Sequence, residues 1–199
     1  MRKIFVFILL SFLISFDVNA FTLSQSVNSD HRDEKNMLRD RYRNPIETLN
    51  FFRVEPSMTI VELSPGRGWY TEILAKYMFE NGRYIAVPYN PNLGGYAERL
   101  WDNYSSLLQS NEIYSKIEIS YLFDKIAEDE SVDAVLTFRN VHNWINDGAK
   151  NAKIIFEQTY NVLRSGGFFG VVEHRAKINT SVEDMYKSGY VTEQFIIDL

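Results

Sequence analysis

The sequence predicts a doubly wound α/β fold built on a mostly parallel sheet, and three observations support this prediction. Short β-branched or apolar runs alternate with segments of helical periodicity from residue 58 onward. The later strand runs are apolar almost throughout, which is typical of parallel strands covered by helices on both faces. A glycine-containing turn joins the first strand directly to a helix. Such alternation implies right-handed crossovers and a Rossmann-like sheet.

Length and composition favour one domain with a sizeable core, because the chain has 199 residues and is 45% hydrophobic. We divide it into four predicted segments. These are a signal peptide at 1–20, a flexible leader at 21–32, N-terminal helices at 33–57 and an α/β domain at 58–199.

The first twenty residues have the pattern of a signal peptide. Arg2 and Lys3 precede an apolar run from Ile4 to Phe16, and small residues lead to Ala20. The apolar run is shorter than the roughly 20 residues that a membrane-spanning helix needs. We therefore predict cleavage after Ala20, export to the periplasm or outside the cell, and no stable membrane span afterwards. An uncleaved anchor is the alternative.

Charge and cysteine content exclude several kinds of site. Removal of 1–20 takes away Arg2, Lys3 and Asp17, a net +1, so the charge moves from −5 to −6. An acidic chain is a poor candidate for nucleic-acid binding, which normally uses a basic surface. There is no cysteine, and hence no disulfide, thiol nucleophile or cysteine metal ligand.

The segment before the first strand shows little order at its start and a helix near its end. Residues 21–30 are polar and aperiodic, which predicts the flexible leader. Helical signals begin near Asp33. A second helix is predicted to start with Asn44 as N-cap, Pro45 in the first turn and Glu47 three residues after the cap, and to run to about Phe52.

The remaining elements follow in regular alternation. The predicted strands are 58–63, 83–87, 117–121, 132–138 and 168–173, and the predicted helices include 69–78, 96–109 and 149–163. In a sheet of this type, ligands bind at the carboxyl ends of the strands near the topological switch point. The candidate site is therefore confined to those strand ends.

The turn from Glu62 to Gly68 (E-L-S-P-G-R-G) is the strongest local signal for a ligand. Its glycines allow close approach of the backbone, and the N-terminus of the following helix offers free N–H groups to an anion. A purely steric role for the glycines is equally compatible with this spacing. An NAD fingerprint fits poorly, because neither a third glycine nor an acid at the end of the second strand is present.

Four blocks of the sequence, in order, are similar to the predicted periplasmic or secreted methyltransferases with the class I fold. They are Tyr42–Leu74, Ser131–Trp144, Leu163–Ala176 and Ser188–Phe195. The resemblance implies an S-adenosylmethionine-dependent methyltransferase whose Glu62–Gly68 turn binds the cofactor. Glu62 would support the loop, and Ser64, Pro65, Gly66 and Gly68 would pass close to the methionine part, with Asn140 as a further cofactor residue.

The second strand departs from the class I pattern. An acid normally follows this strand and binds the ribose hydroxyls, whereas this chain has Pro88 followed by Tyr89 and Asn90. Asn90 is the substitute that we expect to hydrogen-bond the ribose. Asp124, after the third strand, is a candidate for the adenine amine, since a carboxylate accepts hydrogen bonds. A solvated loop aspartate is the alternative.

The loop Arg139–Trp144 follows the fourth strand and is predicted to lie beside the glycine turn. His142 is the candidate general base. Trp144 can contact the sulfonium or stack on the substrate, and we place it with Asn143 and His174 in the substrate pocket. The alternative is structural: Trp144 caps the core and His142 satisfies a backbone carbonyl. His31 lies in the predicted leader, so a histidine-rich metal site is not expected.

The end of the sequence suggests an incomplete sheet. Class I methyltransferase sheets normally gain two strands after the fifth, but here Thr192–Phe195 reads as the start of the next helix and the chain stops shortly after it. We therefore predict that the last two strands are missing. An unpaired apolar fifth strand would then favour self-association.

Three functions follow from these observations. The first is methyl transfer from S-adenosylmethionine to a small-molecule substrate. The second is a non-catalytic or degenerate ligand-binding domain of the same family, suggested by the missing ribose acid. The third is an NAD-dependent oxidoreductase, which would share the fold.

Overall fold

The computed structural model describes residues 20–199, which form a five-stranded parallel sheet with helices on both faces. The strands are β1 Thr59–Leu63, β2 Arg83–Val87, β3 Glu118–Ile119, β4 Val132–Phe138 and β5 Leu163–Val172. Their order across the sheet is β3-β2-β1-β4-β5, and every neighbouring pair is parallel. The predicted fold class is confirmed.

Ten α-helices lie within the described part of the chain. They are α1 Leu23–Val27, α2 Glu34–Met37, α3 Asp40–Arg43, α4 Pro45–Phe51, α5 Thr71–Met78, α6 Gly95–Gln109, α7 Val141–Trp144, α8 Lys150–Val162, α9 Val182–Ser188 and α10 Glu193–Ile197. None of them is long and apolar enough to cross a bilayer. The predicted signal peptide lies outside the described residues except for Ala20.

Alternating side chains of the strands build two separate cores. Ile60 of β1 packs with α4, α5 and α6 on one face, whereas Val61 and Leu63 pack with α7, α8 and α9 on the other. This follows from the two-residue period of a strand, which sends successive side chains to opposite faces. Both faces are therefore covered, as the apolar strand runs predicted.

The strand order places the topological switch point at β1 and β4. The chain runs outward from β1 to β2 and β3, then returns to the other side of β1 as β4. Loops that leave β1 and β4 at their carboxyl ends diverge to opposite faces, which opens a crevice between them. The glycine turn and the loop after β4 meet at this crevice.

The prediction of a flexible leader at 21–32 is wrong, because this segment contains helix α1. Thr22 caps this helix in a reciprocal capping box with Gln25. Leu23 and Val27 are buried in the same core as α5. The short segment looked too polar to fold alone, but its two apolar residues share one helix face and find their partner only in the tertiary structure.

Arg32 links residues 21–32 to the rest of the domain through hydrogen bonds. Its side chain is fully buried, and its guanidinium makes two hydrogen bonds to the Asp40 carboxylate, at 2.7 and 3.0 Å. It also donates to the Val27 carbonyl at 2.6 Å and to Glu72 of α5 at 3.3 Å. A buried charge persists only when its hydrogen-bonding groups are satisfied in this way.

Substitution of Arg32 by Gln is expected to lower the free energy of unfolding by about 2 kcal/mol and to loosen α1, because Glu72 and Asp40 lose their cation. Asp40 is partly exposed and Glu72 keeps Asn36 as a partner, which limits the loss. Urea denaturation measures stability, and hydrogen exchange of 22–32 measures the loosening. Lys35→Gln, an exposed change in α2, is the control. Unchanged exchange in Arg32→Gln would contradict the proposed role of Arg32.

Two local predictions need correction. Asn44 stands at the N-cap position of α4, but it adopts the left-handed conformation (φ 45°) and its side chain forms no cap; Pro45 and Glu47 take their predicted places in the first turn. β5 begins at Leu163 rather than 168, with an irregular register where Val132 pairs with Leu163 and Ala134 with Phe168. Gly166 and Gly167, which follow the predicted helix 149–163, lie within this irregular stretch.

Candidate functional site

A small cavity of about 40 Å³ lies at the carboxyl ends of β1, β2 and β4. Its wall comes from the glycine turn, the end of β2, the start of α6 and the loop after β4. The lining residues are Ser64, Gly66, Pro88, Tyr89, Tyr96, Leu100, Asn140 and Asn143. The structure therefore brings four of the predicted site residues, Ser64, Gly66, Asn140 and Asn143, to one place.

The glycine turn has an unusual backbone. Ser64, Gly66 and Gly68 all have positive φ, at 51°, 63° and 83°. A Cβ at Gly66 would meet no atom within 4 Å, so the backbone there is open to the cavity. A Cβ at Gly68 would lie 2.2 Å from Leu107 of α6, so this glycine is needed for helix packing. The two glycines thus have different roles, which their spacing alone does not distinguish.

A second cavity of about 270 Å³ adjoins the first. Tyr89, Tyr96 and Asn143 line both cavities. The second cavity is completed by Phe123, Trp144, Asn146, Asn151 and Tyr186. The two tyrosines therefore separate one crevice into two compartments.

Two buried polar atoms beside Tyr89 have no hydrogen-bond partner within residues 20–199. They are the hydroxyl oxygen of Ser64 and the indole nitrogen of Trp144. Both side chains are neighbours of the Tyr89 hydroxyl, and burial raises the pKa of Tyr89, which keeps this hydroxyl protonated. An unpaired buried polar group costs about 1–3 kcal/mol, so these atoms mark a position that favours a polar ligand or water.

Asn140 ties the loop after β4 to the glycine turn. Its amide nitrogen lies 3.3 Å from the Leu63 carbonyl oxygen, 3.1 Å from that of Ser64 and 3.0 Å from the Thr137 hydroxyl. Two amide hydrogens serve these acceptors, which all belong to the ends of β1 and β4. Asn140 thereby fixes the width of the crevice at the switch point.

Glu62 lies beneath the turn rather than on the cavity wall. Its carboxylate accepts from the Tyr84 hydroxyl and, at 3.0 Å, from the Thr71 hydroxyl at the start of α5. Tyr104 donates to Thr71 at 3.2 Å, which completes a consistent chain of donors. Burial raises the pKa of Glu62 to about 7, although the hydrogen bonds from Tyr84 and Thr71 oppose the shift. Glu62 thus joins β1, β2 and α5 below the site.

His142 pairs with Glu173 at the end of β5. The His142 Nδ1 atom lies 3.0 Å from a Glu173 carboxylate oxygen, and Glu173 is almost fully buried. The Nε2 atom makes no hydrogen bond within residues 20–199 and faces Gly189, after α9. A histidine whose Nδ1–H is held by a carboxylate presents Nε2 as the proton acceptor. His142 does not line either cavity.

Three predicted residues lie away from the two cavities. Asn90 uses its side-chain oxygen to accept from the Asn92 backbone N–H at 3.0 Å, so the expected ribose contact is already engaged in a turn. Asp124 is exposed, and its neighbour Phe123 lines the second cavity instead. His174 stacks on Tyr190 at 5.1 Å between ring centroids. Pro65 is buried within the turn and accepts from Gly68.

Sequence reasoning missed the contribution of Tyr89, Tyr96 and Leu100. In the sequence, Pro88 and Tyr89 stand where an acid is expected. The aromatic residue after the second strand could have predicted a cavity wall, because the carboxyl ends of the strands in this sheet face the crevice. Tyr96 and Leu100 lie on one side of α6 at i, i+4 spacing and gave no separate signal.

Comparison with known proteins returned structural matches only. No family model and no curated protein matches the sequence. A SAM dependent methyltransferase from Aquifex aeolicus is 16% identical with a TM-score of 0.60, over 88% of this chain and 84% of that one. A protein from Pyrococcus horikoshii OT3 is 13% identical with a TM-score of 0.58, over 89% and 87% of the two chains.

A third structural neighbour was solved with ligands. It is the geranyl diphosphate C-methyltransferase from Streptomyces coelicolor A3(2), in complex with Mg²⁺, geranyl-S-thiolodiphosphate and S-adenosyl-L-homocysteine. It is 11% identical with a TM-score of 0.55, and the match covers 87% of this chain and 63% of that one. At these identities, the matches establish the fold that this chain shares with methyltransferases.

Proposed function

We propose that this protein binds S-adenosylmethionine at the carboxyl edge of β1, β2 and β4 and transfers its methyl group to a small molecule. The observation that carries the proposal is the crevice at the switch point, where the open Gly66 backbone and Ser64 line the first cavity and Trp144 lines the second. The Ser64 hydroxyl and the Trp144 indole nitrogen have no hydrogen-bond partner within residues 20–199. The methyltransferase fold of the structural neighbours supports it.

The residues of the crevice fit a nucleoside cofactor if Tyr96 moves. The first cavity alone holds little more than one water molecule. Joined with the second, its volume approaches the roughly 300 Å³ at the lower end of ligand pockets. Tyr96 is 64% exposed and follows Gly94 and Gly95, both with positive φ. Rotation of this exposed side chain would join the compartments without disturbing the core.

Tyr89 takes the place of the ribose-binding acid in this proposal. It follows β2 directly, lines both cavities and remains protonated, so its hydroxyl can donate to a ribose oxygen. A neutral hydroxyl binds a diol less strongly than a carboxylate does, because charge-assisted hydrogen bonds are about twice as strong. We therefore expect weaker cofactor binding than a carboxylate would give.

Catalysis would rest mainly on orientation. The bound cofactor supplies an electrophilic methyl group on a sulfonium, and the walls of the crevice hold the acceptor in line with it. His142 is our candidate for the proton released by the acceptor, because Glu173 holds Nδ1 and leaves Nε2 free. His142 lies outside both cavities, so the acceptor would have to reach the β5 side of α7.

The rival function is a degenerate domain of the same fold that binds a ligand without catalysis. One observation favours it: neither Pro88, Tyr89 nor the engaged Asn90 supplies the acid that ordinarily holds the ribose. The absence of this acid from residues 88–90 also argues against an NAD-dependent oxidoreductase, because such enzymes bind the NAD ribose with an acid at the equivalent strand end.

Isothermal titration calorimetry of residues 21–199 with S-adenosylmethionine, S-adenosylhomocysteine and NAD separates the three functions. We expect saturable binding of the first two and none of NAD. Well-folded protein that binds none of them would support the degenerate domain, and selective NAD binding would support the oxidoreductase. Circular dichroism of the same sample verifies folding.

A further inference from the structure

Arg43, at the C-terminal end of α3, is a half-buried cation that makes no ion pair within residues 20–199. Its guanidinium carbon lies 4.6 Å from the centre of the Trp69 ring. Its Nε atom is shielded from solvent and has no hydrogen-bond acceptor within residues 20–199. Because desolvated guanidinium groups are normally paired with an oxyanion, this position lacks one of its expected partners.

Packing of aromatic rings brings Arg139 to the same place. Trp69 contacts Tyr70 edge to face, at 4.6 Å between ring centroids. Tyr70 stacks on Phe138 at 3.5 Å, and Arg139 follows Phe138 with a left-handed backbone at φ 64°. The last residue of β4 thus carries an arginine to the edge of the surface on which Arg43 lies.

Arg39 adds a third positive charge. Burial, together with the charges of Arg39 and Arg139, lowers the pKa of Arg43 to about 10, although Tyr70 and Asp40 oppose the shift. A repulsion of this kind between like charges acts only when the groups are near one another. We call Arg39, Arg43 and Arg139 the arginine cluster.

No carboxylate in the described residues is paired with the arginine cluster. The adjacent acid, Asp40, is held by two hydrogen bonds from Arg32. None of the ion pairs in 20–199 includes a member of the cluster, whereas Arg83 and Arg164 are paired with acids. Arg39 and Arg139 are exposed to solvent and Asp40 acts on Arg43, so the cluster is tolerated without a further anion, but its unpaired positive charge favours one.

The arginine cluster borders the proposed cofactor crevice. Arg139 immediately precedes Asn140, which lines the first cavity and bonds the glycine turn. Arg43 lies over the indole of Trp69, the residue that follows Gly68 of the turn. None of the three arginines lines either cavity, so a molecule seated at the cluster would approach the crevice from outside it.

We propose that the arginine cluster binds an oxyanion, a carboxylate or phosphate group, carried by the methyl acceptor. The inference rests on the proposed methyl transfer and names the substrate class. Planar guanidinium groups match both oxyanions through paired hydrogen bonds. S-Adenosylmethionine has one carboxylate against an ammonium and a sulfonium, so its net charge is positive and does not neutralise three arginines. The oxyanion of an anionic acceptor offsets part of that charge.

The indole N–H of Trp69 provides a probe of the site. It donates to the Asn36 carbonyl at 2.9 Å and lies beneath Arg43. Inorganic phosphate is titrated into ¹⁵N-labelled protein with S-adenosylhomocysteine present, and the Trp69 signal is followed by NMR. We expect a saturable shift whose phosphate affinity falls about tenfold in Arg43→Gln and in Arg139→Gln. Arg41→Gln, on the same helix but exposed, is the matched control and should bind as wild type does.

Calorimetry with S-adenosylhomocysteine on the same proteins separates the two proposals. Normal cofactor binding with no phosphate effect on Trp69, or equal phosphate affinity in all variants, would overturn the anion site. A fall in cofactor affinity in Arg43→Gln with phosphate binding unchanged would also overturn it, because the cluster would then hold the cofactor's own carboxylate. Phosphate binding without cofactor binding would retain the anion site and overturn methyl transfer. Arg139→Gln is an exposed change, so it keeps the test decisive if Arg43→Gln misfolds.

Discussion

Glu62→Ala is expected to lower the free energy of unfolding by about 4 kcal/mol, the largest loss of stability among the changes that we consider. The substitution removes a fully buried side chain and the acceptor that the Tyr84 and Thr71 hydroxyls share, although these hydroxyls keep their hydrogen bond to each other at 3.0 Å. The cost combines a cavity with the loss of two buried hydrogen bonds. Urea denaturation followed by circular dichroism measures it.

Glu62→Gln is the control for this change, because the amide oxygen can still accept from Tyr84 and Thr71. We expect it to cost only about 1 kcal/mol near neutral pH. Equally small losses in the two variants would mean that neither the hydrogen bonds nor the volume of Glu62 contributes much to stability, and equally large losses would mean that the amide does not replace the carboxyl group.

The same pair of proteins tests the protonation of Glu62. Its pKa is about 7 in the folded protein and 4.5 as the ordinary value, so the folded state binds the proton more tightly. Stability from this group is fully present below pH 4.5 and is lost as the pH rises through about 7. The loss is about 3 kcal/mol at about 1.4 kcal/mol per pKa unit.

Wild type should therefore lose more stability than Glu62→Gln between about pH 5 and about pH 8. Burial also raises the pKa of Glu72, but Glu72 is present in both proteins, so its contribution cancels in the comparison. Parallel pH profiles for the two proteins would show that Glu62 does not titrate in this range.

The second large effect is expected at Gly66. Gly66→Leu should weaken binding of S-adenosylmethionine by at least about a hundredfold, because the new side chain would project from an open backbone into the cavity. Gly66 has φ 63°, so the variant also pays about 1 kcal/mol of backbone strain. Calorimetry measures the affinity.

Gly166→Leu is the control that distinguishes the effect of blocking the cavity from the effect of straining the backbone. Gly166 also has positive φ, at 81°, and a Cβ there would meet nothing within 4 Å. It lies at the opposite edge of the sheet, near Asp129 and Glu130, which precede β4. We expect a similar loss of stability and wild-type cofactor affinity. If Gly66→Leu also binds normally, the cofactor does not lie over the glycine turn.

The sequence predicted which strand ends border the cavity, but it predicted only part of the residues that line it. Ser64, Gly66, Asn140 and Asn143 were found because they follow strands that must meet at one sheet edge. Asn90 was expected to replace the ribose acid, yet its oxygen is used by a turn two residues on. Short-range side-chain to backbone bonds of this kind compete with any ligand role, and residue type alone does not show which one prevails.

The N-terminal segment is a second place where residue type alone did not predict the structure. Residues 21–32 looked disordered because a short polar stretch has too few apolar groups to fold alone. Arg32 and the two apolar residues of α1 become ordered only because α5 supplies Glu72 and an apolar face. The sequence did not predict the half-buried position of Arg43 either, since its environment is formed by residues distant in the chain, after the glycine turn and at the end of β4.

By itself, the sequence determined the alternation of strands and helices, the two apolar faces of the sheet, and the turn and loop that meet at the switch point. These follow from local periodicity and from the handedness of crossovers, which depend on neighbouring residues. Only the tertiary structure decided that Tyr89 lines both cavities, that Glu62 is buried beneath the turn and that Arg43 lies half-buried over Trp69. Burial and charge are properties of the surroundings, and those surroundings come from residues distant in the chain.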